Sequence, residues 1–144
     1  MILIDSNVII AATDLGHLHH QPSQALLRRR PAPILIATHA LTEAYNHLSR
    51  LRKDGPSINT GVAATSLQSL AATAKCRALT HHESLAAVQR FAALGGRGAR
   101  LYDYLIGAVA VLEGADTIAT WNVRHFAPLF PALRIATPEQ LLES

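Results

Sequence analysis

The sequence predicts an α/β fold: one domain over residues 1–144, with a mainly parallel central sheet of about five strands flanked by helices. Short, fully apolar runs alternate along the chain with longer segments of helical periodicity. Of the residues, 49% are hydrophobic but only 5% are aromatic, so the core must be aliphatic, which suits helices packed on a sheet. A length of 144 residues is ordinary for a single domain.

A polar turn separates the first strand from the first helix. The run Met1-Ile2-Leu3-Ile4 has no polar alternation, which is typical of a strand buried on both faces of a parallel sheet. Asp5-Ser6-Asn7 ends this strand, because these residue types favour turns and helix N-termini. The apolar residues that follow predict a helix from Asn7 through Ala12.

The second strand lies between two helices. Pro22 is suited to the first turn of a helix that must stop before Pro31. Residues 33–37, with the sequence PILIA, predict the second strand. Thr38 can cap the next helix, whose polar stripe includes Glu43. The apolar face of that helix is predicted from four residues at helical spacing, namely Leu41, Tyr45, Leu48 and Leu51.

The remaining elements continue the alternation to the C-terminus. We expect helices over residues 63–74, 83–94, 101–112 and 138–142, and strands over residues 76–79, 115–120 and 133–136. The helix over residues 101–112 is apolar on nearly every side, so we expect it to be buried at the centre of the domain.

Charge and cysteine content narrow the function classes. A net charge of +3 and a pI of about 9.5 favour an anionic partner such as nucleic acid without identifying it. The only cysteine, Cys76, cannot form an internal disulfide, and we expect it to be a buried structural residue. There is no basic secretory n-region and no apolar stretch near the roughly 20 residues that span a bilayer. We therefore expect a soluble cytoplasmic protein with no membrane partner.

Four polar residues stand near the ends of predicted strands. Asp5 ends the first strand, and Glu43 lies in the helix after the second. Asp103 opens the buried helix, and Asn122 follows the fourth strand. In parallel α/β sheets, ligands bind beyond the carboxyl ends of the strands. The four side chains could therefore reach one edge of the sheet.

The three acids among them suit a hard divalent cation. Asp103 stands among apolar neighbours, where a charge is costly unless it is compensated. A helix N-terminus compensates part of that cost. Mg²⁺ or Mn²⁺ would supply the rest, because these ions prefer oxygen ligands and are typically held by one or two carboxylates with waters and phosphate. Each acid also has a purely structural interpretation: Asp5 as a helix cap, Asp103 as a first-turn acid and Glu43 as part of a solvated helix face.

Four segments, in order along the whole chain, carry a family pattern. They have the sequences IDSNVI at residues 4–9, LTEAY at 41–45, YDYLIGA at 102–108 and ATWNVRHF at 119–126. Together they resemble the PIN domain, in its VapC-type toxin branch. The resemblance implies a PIN fold, an endoribonuclease activity that depends on Mg²⁺ or Mn²⁺, and a toxin role. It also implies a cognate antitoxin, a segment of which would block the metal groove.

The resemblance carries the family's three acids onto Asp5, Glu43 and Asp103, with Asn122 at the fourth position. Our hypothesis is that Asp5 and Asp103 hold the metal, directly or through water, while Glu43 orients a water or helps to deprotonate it. Many relatives have an acid at the fourth position, so the neutral Asn122 favours one firmly held metal and a hydrogen-bonding or water-positioning role. Asp116 is a possible substitute acid, but it precedes the fourth strand and should lie at the opposite edge of the sheet.

Several alternatives stay open at the level of sequence. The main one is a non-catalytic nucleic-acid-binding or receiver-like signalling module that uses Asp5 as a cation or phosphoacceptor site; retention of all three acids weighs against it. As partners we expect an RNA substrate, the antitoxin and a second copy of the chain in a homodimer. The arginines that flank the proposed site are candidates for phosphate contacts, namely Arg97, Arg100 and Arg124. The run Arg28-Arg29-Arg30 is more typical of a solvated helix end, and His17, His19 and His20 are more typical of a solvated loop.

Overall fold

The computed structural model describes all 144 residues, Met1–Ser144, as five strands and eight helices. In chain order these are β1 (Ile2–Ile4), α1 (Ser6–Thr13), α2 (His20–Arg29), β2 (Ile34–Ala37), α3 (Thr38–Leu48), α4 (Thr60–Ala71), β3 (Lys75–Arg77), α5 (His81–Ala93), α6 (Arg100–Leu112), β4 (Thr117–Ala119), α7 (Val123–Phe126), β5 (Arg134–Ala136) and α8 (Pro138–Leu142).

The five strands form one parallel sheet in the order β3-β2-β1-β4-β5. In the middle strand, Ile2 is aligned with Ile34 of β2 on one side and with Thr117 of β4 on the other. Every residue of β1, β2 and β4 is buried. The unbroken apolar runs are thus explained by strands covered on both faces, and the predicted α/β class with a parallel sheet is confirmed.

The chain changes its direction of travel across the sheet after β3. It moves from β1 through β2 to the edge at β3, and then returns to the far side of β1 with β4. Because such crossovers are right-handed, α1 to α4 cover one face of the sheet and α5 to α7 cover the opposite face, while α8, which follows the last strand, packs against α2. The carboxyl ends of β1 and β4 therefore form a topological switch point, the usual ligand-binding crevice of an open α/β sheet.

Helix α6 packs across the centre of the sheet, against β1, β2 and β4. Its middle, from Ile106 to Ala110, is buried as predicted, whereas Tyr102, Val111 and Leu112 near its ends are exposed. A Cβ atom on Gly107 would lie 2.1 Å from the ring of Phe130. The absence of a side chain at this position is what allows that ring to pack on the helix.

Three details of the predicted core are wrong. Tyr45, expected on the apolar face of helix α3, is exposed. Helix α3 ends at Leu48, and Leu51, expected on its apolar face, is 90% exposed in the loop that follows. The helical spacing of apolar residues continues as far as Leu51, but the helix itself ends at Leu48, its last buried residue. Cys76, expected to be buried, is exposed because β3 is a three-residue strand at the edge of the sheet.

Helix boundaries also differ where a cap decides them. Helix α4 begins at Thr60, before the predicted start at residue 63, because Oδ1 of Asn59 accepts hydrogen bonds from the backbone N–H groups of Gly61 and Val62. The short helix α7, directly after Asn122, was not predicted. None of the eight helices has the length and hydropathy of a membrane-spanning segment.

Candidate active site

Asp5 lies at the switch point, between β1 and α1, and is 2% exposed. Oδ1 accepts a hydrogen bond of 2.7 Å from the backbone N–H of Ser6, and Oδ2 accepts one of 2.7 Å from the hydroxyl of Thr120. Burial raises the pKa of Asp5 to about 7; the Thr120 hydrogen bond opposes this rise, and the charges of Asp103 and Glu43 add to it. The carboxylate is thus a helix cap whose negative charge is poorly compensated by the protein.

A chain of hydrogen bonds joins Asp5 to the segment that follows β4. Thr120, fully buried after β4, donates to Asp5 and accepts from Nδ2 of Asn7 at 3.1 Å. Oδ1 of Asn7 in turn accepts from the backbone N–H of Trp121 at 3.1 Å. Asn7 therefore ties α1 to the segment after β4, and Thr120 points its hydroxyl at the carboxylate.

Glu43 reaches the same edge of the sheet from α3. Oε1 accepts a hydrogen bond of 3.0 Å from the hydroxyl of Ser6, which also lies 3.4 Å from Oδ1 of Asp5. Oε2 is shielded from solvent and has no hydrogen-bond partner; Nε2 of His39, one helical turn earlier, is 3.5 Å away. A buried carboxylate oxygen without a donor is costly, so this atom is available to a ligand.

Asp103 lies in the first turn of α6 and is partly buried. Oδ2 is 3.5 Å from Nδ1 of His125, at the end of α7. Burial raises the pKa of Asp103 and the Glu43 charge adds to the rise, while His125 and Arg100 oppose it. Arg100, at the start of α6, also donates a hydrogen bond of 2.7 Å to the backbone carbonyl of His125. This bond holds the backbone of His125 next to the first turn of α6.

The structure brings Asp5, Glu43 and Asp103 near one another: the charges of Asp103 and Glu43 help to raise the pKa of Asp5, and the charge of Glu43 helps to raise the pKa of Asp103. It does not bring Asn122 into hydrogen-bonding contact with them. Asn122 is exposed and precedes α7, and its recorded contact is through the backbone, where its N–H donates to the hydroxyl of Thr120 at 3.0 Å. Its backbone therefore lies close to Thr120 and to the acidic cluster, at the same edge of the sheet.

Asp116 lies at the opposite edge, as its position before β4 predicted. Its Oδ2 pairs with the N-terminal ammonium group of Met1 at 2.9 Å, and its Oδ1 accepts a hydrogen bond of 2.6 Å from the hydroxyl of Thr117. These two hydrogen bonds lower the pKa of Asp116. It cannot replace Asn122 at the site, because its carboxylate is engaged with Met1 and Thr117 at the other edge.

Sequence reasoning missed four residues of the site, namely Asn7, His39, Thr120 and His125. A signal for Thr120 was present, since it follows β4 as Asp5 follows β1 and the two strands are neighbours. Ile4 is aligned with Ala119, so the next residue on each strand must meet at the switch point. A signal for His39 was also present, because it lies four residues before Glu43 in the predicted helix and such residues share a face. Asn7 and His125 depend on how distant elements pack, which no local pattern in the sequence specifies.

The chemistry of the cluster fits a hard divalent cation. Three carboxylates lie near one another where the hydrogen-bond partners of Asp5 are all uncharged donors, and one oxygen of Glu43 has no donor at all. No three acidic, histidine or cysteine side chains converge closely enough to hold one ion by themselves. This arrangement suits an ion held by one or two carboxylates and completed by waters and substrate oxygens, as is usual for Mg²⁺. The histidines near residue 17 likewise form no such group.

An open parallel sheet with an acidic cluster at its switch point defines an α/β domain with a polar ligand site at the carboxyl edge. The family model of the PIN domain matches residues 2–127. Because that match spans most of the chain, this protein belongs to the PIN domain family, and the resemblance predicted from the four segments is confirmed. A search of curated proteins finds no match.

Solved structures share the fold over nearly the whole chain. One is VapC20 of Mycobacterium tuberculosis, described as a sarcin-ricin loop cleaving toxin, with 17% identity, coverage of 89% of this chain and 95% of that one, and a TM-score of 0.72. A second is VapBC2 of Rickettsia felis bound to a promoter DNA fragment, with 19% identity, coverage of 95% and 98%, and a TM-score of 0.65. A third is FitAB bound to a DNA fragment, with 20% identity, coverage of 96% and 95%, and a TM-score of 0.67.

Proposed function

We propose that this PIN-domain protein is a metal-dependent endoribonuclease that hydrolyses RNA phosphodiester bonds. The observation that carries the proposal is the acidic cluster itself: Asp5, Glu43 and Asp103 lie near one another at the switch point, no cation offsets the charge of Asp5, and one oxygen of Glu43 has no hydrogen-bond donor. A cluster of this kind destabilises the fold unless a ligand neutralises it, so its presence indicates function rather than stability.

The proposed cofactor is one Mg²⁺ or Mn²⁺ ion, with Asp5 and Asp103 as its protein ligands. When bound, such an ion stabilises negative charge on the phosphate and lowers the pKa of a coordinated water. Asp5 suits this role because the hydroxyl of Thr120 and the N–H of Ser6 fix the orientation of its carboxylate. Asp103 suits it because the first turn of a helix and His125 keep the carboxylate in place.

Glu43 is the proposed proton acceptor. Its Oε1 is held by the hydroxyl of Ser6, which leaves Oε2 as the free oxygen that can accept a hydrogen bond from the attacking water. The water oxygen forms a bond to phosphorus while one bond from phosphorus to a ribose oxygen breaks. Glu43 takes the proton of the water, and the departing ribose oxygen takes a proton from solvent.

Asn122 is proposed to position water or substrate by hydrogen bonding. Its amide is exposed at the same edge as the acids and makes no hydrogen bond to them. A neutral amide adds no charge to hold a second ion, so we propose one firmly bound metal. The cations of Arg97, Arg100 and Arg124 are proposed phosphate contacts around the site.

We also propose that the protein is the toxin of a toxin–antitoxin pair. Support comes from its structural likeness to VapC20, described as a sarcin-ricin loop cleaving toxin, and to the VapBC2 and FitAB assemblies. The partner would be a cognate antitoxin that covers the acidic groove. A homodimer is proposed as the assembly of the toxin, and light scattering on the purified chain tests it.

A cleavage assay on cellular RNA tests the proposed activity. The purified chain should cleave RNA with Mg²⁺ or Mn²⁺ and not with EDTA, and Asp5→Asn should abolish cleavage while the far-UV circular dichroism stays unchanged. Asp116→Asn is the matched control, because it removes an acid at the opposite edge of the sheet and should cleave like the parent. A folded Asp5→Asn variant that still cleaves RNA would contradict the proposed mechanism.

The same experiment separates the alternative functions. A non-catalytic binding module would bind RNA and leave it intact under every metal condition. A receiver-like domain would accept phosphate on Asp5 from a small phosphodonor. That outcome is disfavoured by the burial of Asp5 and by the hydrogen bonds to both of its oxygens.

A further inference from the structure

Two aromatic side chains are stacked at the edge of the acidic cluster. The ring centroids of His39 and Tyr102 lie 5.2 Å apart, with an interplanar angle of 18°. Nε2 of His39 is 3.5 Å from Oε2 of Glu43, and Tyr102 directly precedes Asp103 in α6. The pair therefore stands beside two of the three acids, where the part of a substrate next to the reacting phosphate would lie.

Tyr102 presents a free aromatic face. The residue is 49% exposed, although Tyr104, two positions later on the same helix, is buried. One face of the Tyr102 ring is stacked on His39, so the exposed part is its outer face and edge. Isolated exposed aromatic residues are ordinary on protein surfaces. This ring differs because a stacked neighbour holds it in place, and a ring ordered in advance loses little entropy when it binds.

A cavity extends this surface along the carboxyl ends of β2 and β3. It has a volume of about 230 Å³, and His39 forms part of its wall. Thr38, Thr42 and Ser84, which carry hydroxyl groups, also line it; the hydroxyl of Thr42 already donates a hydrogen bond of 2.9 Å to the backbone carbonyl of His39. Hydroxyl groups both donate and accept hydrogen bonds, which is what the edges of a nucleobase require. Arg77, another lining residue, is already paired with Glu83 and Glu113, so the cavity offers no free cation to a phosphate.

We propose that the His39 and Tyr102 pair is a stacking site for an unpaired base of single-stranded RNA next to the scissile phosphate. This inference rests on the proposed function and names the substrate class of the same site. Aromatic side chains hold single-stranded RNA by stacking on its bases. A base within a duplex has both faces covered by neighbouring bases, so it cannot use this surface. The pair therefore directs the enzyme to unpaired RNA.

The test measures RNA binding in EDTA, where no cleavage occurs. A fluorescently labelled single-stranded RNA of random sequence, and an RNA duplex of equal length, are titrated with the parent and with variants, and anisotropy is recorded. Tyr102→Ala should weaken binding of the single strand about tenfold, and Tyr102→Phe should retain it. Binding of the duplex should be the same for all variants. The salt dependence of single-strand binding should not change, because no cation is removed.

Tyr45→Ala is the matched control. Tyr45 is an exposed tyrosine on α3, but it lies two residues after Glu43, and residues two apart on a helix do not share a face. This variant should bind both RNAs like the parent. If Tyr102→Ala does not fold, Tyr102→Leu replaces it, since leucine keeps apolar bulk without an aromatic face.

The outcomes distinguish this inference from the proposed function. Equal loss of single-strand and duplex binding in the Tyr102 variant, or no loss in either, overturns the stacking site while leaving the nuclease proposal intact. A parent protein that binds neither RNA in EDTA overturns the stacking site, and the cleavage assay with Mg²⁺ then decides the nuclease proposal by itself. In the cleavage reaction with Mg²⁺, Tyr102→Ala should raise KM for single-stranded RNA more than it lowers kcat, because a base contact that does not touch the reacting atoms contributes mainly to binding.

Discussion

The hydroxyl of Thr120 donates a hydrogen bond of 2.7 Å to Oδ2 of Asp5, joining the residues that follow two neighbouring parallel strands. This bond is the largest of the interactions that oppose the rise in the pKa of Asp5 caused by burial. The pairing of β1 with β4 thus controls the ionisation of the carboxylate that we propose as a metal ligand. Four predictions follow from this arrangement and from the packing around it.

Thr120→Val should move the acid limb of the pH–activity profile to higher pH. The change removes a donor to a buried carboxylate, worth about 1.5–3 kcal/mol for a charged acceptor, which corresponds to roughly one to two pH units. RNA cleavage at neutral pH should fall about tenfold to a hundredfold. Measurement of kcat/KM against pH checks this.

Thr117→Val provides the control for that substitution. Thr117 lies on the same strand and donates to Asp116 at the other edge of the sheet. Its replacement should leave the pH profile of cleavage in place. If both threonine variants shift the profile equally, the effect belongs to the strand and not to the hydrogen bond with Asp5.

Asp5→Asn should stabilise the metal-free protein at alkaline pH. The folded pKa of about 7 exceeds the ordinary value of 3.8, so the folded state favours the protonated acid. Below about pH 4 the acid is protonated in both the folded and the unfolded chain, and it has no effect on stability. As the pH rises to about 7 the unfolded chain ionises first, and stability falls by about 4 kcal/mol in all.

Urea denaturation in EDTA at several pH values measures this effect. The free energy of unfolding of the parent, relative to that of Asp5→Asn, should decline between acidic and alkaline pH. Added Mg²⁺ should raise the Tm of the parent at alkaline pH and leave that of the variant unchanged, because ligand binding stabilises only a fold that binds it. If the free energy of unfolding depends on pH in the same way in the parent and the variant, ionisation of Asp5 does not destabilise the fold.

Substitutions at Asn122 should separate its role from that of the acids. Asn122→Ala should lower cleavage only about fivefold, since one hydrogen bond of ordinary strength is lost. Asn122→Asp should tighten Mg²⁺ or Mn²⁺ binding, because it adds a charge beside the cluster. Titration calorimetry gives the affinity and the number of ions. A loss as large as that of Asp5→Asn in the alanine variant would place Asn122 among the essential metal ligands.

Gly107→Ala should destabilise the fold through a clash with Phe130. A Cβ at this position would lie 2.1 Å from a ring that is 5% exposed and has little room to move. Such overpacking costs about 1–3 kcal/mol, partly offset by the better helix propensity of alanine. Thermal unfolding should show a lower Tm. Phe130→Leu combined with Gly107→Ala should be less destabilised than the sum of the two single changes, and simple additivity would argue against the contact.

Some parts of the fold and site could be predicted from local patterns. Unbroken apolar runs identified β1 and β2 because a strand covered on both faces needs no polar side. The position of Asp5 and of Asp116 relative to their strands predicted opposite edges of the sheet, since parallel strands all point the same way. The cap of α4 and the extent of α3 were missed, because the ends of helices depend on single side-chain hydrogen bonds and on where packing stops.

The sequence by itself determined the α/β class, the order of the strands along the chain, and the three acids placed after strands or in helices near them. Only the tertiary structure decided that Thr120 and Asn7 hold Asp5, that Glu43 keeps an oxygen without a donor, and that His39 stacks on Tyr102. Those relations join residues far apart in the chain, and they depend on which strands pair and how the helices cross. The local spacing of apolar residues shows which face of a helix or strand is buried. Which side chains that face contacts depends on how the whole domain packs.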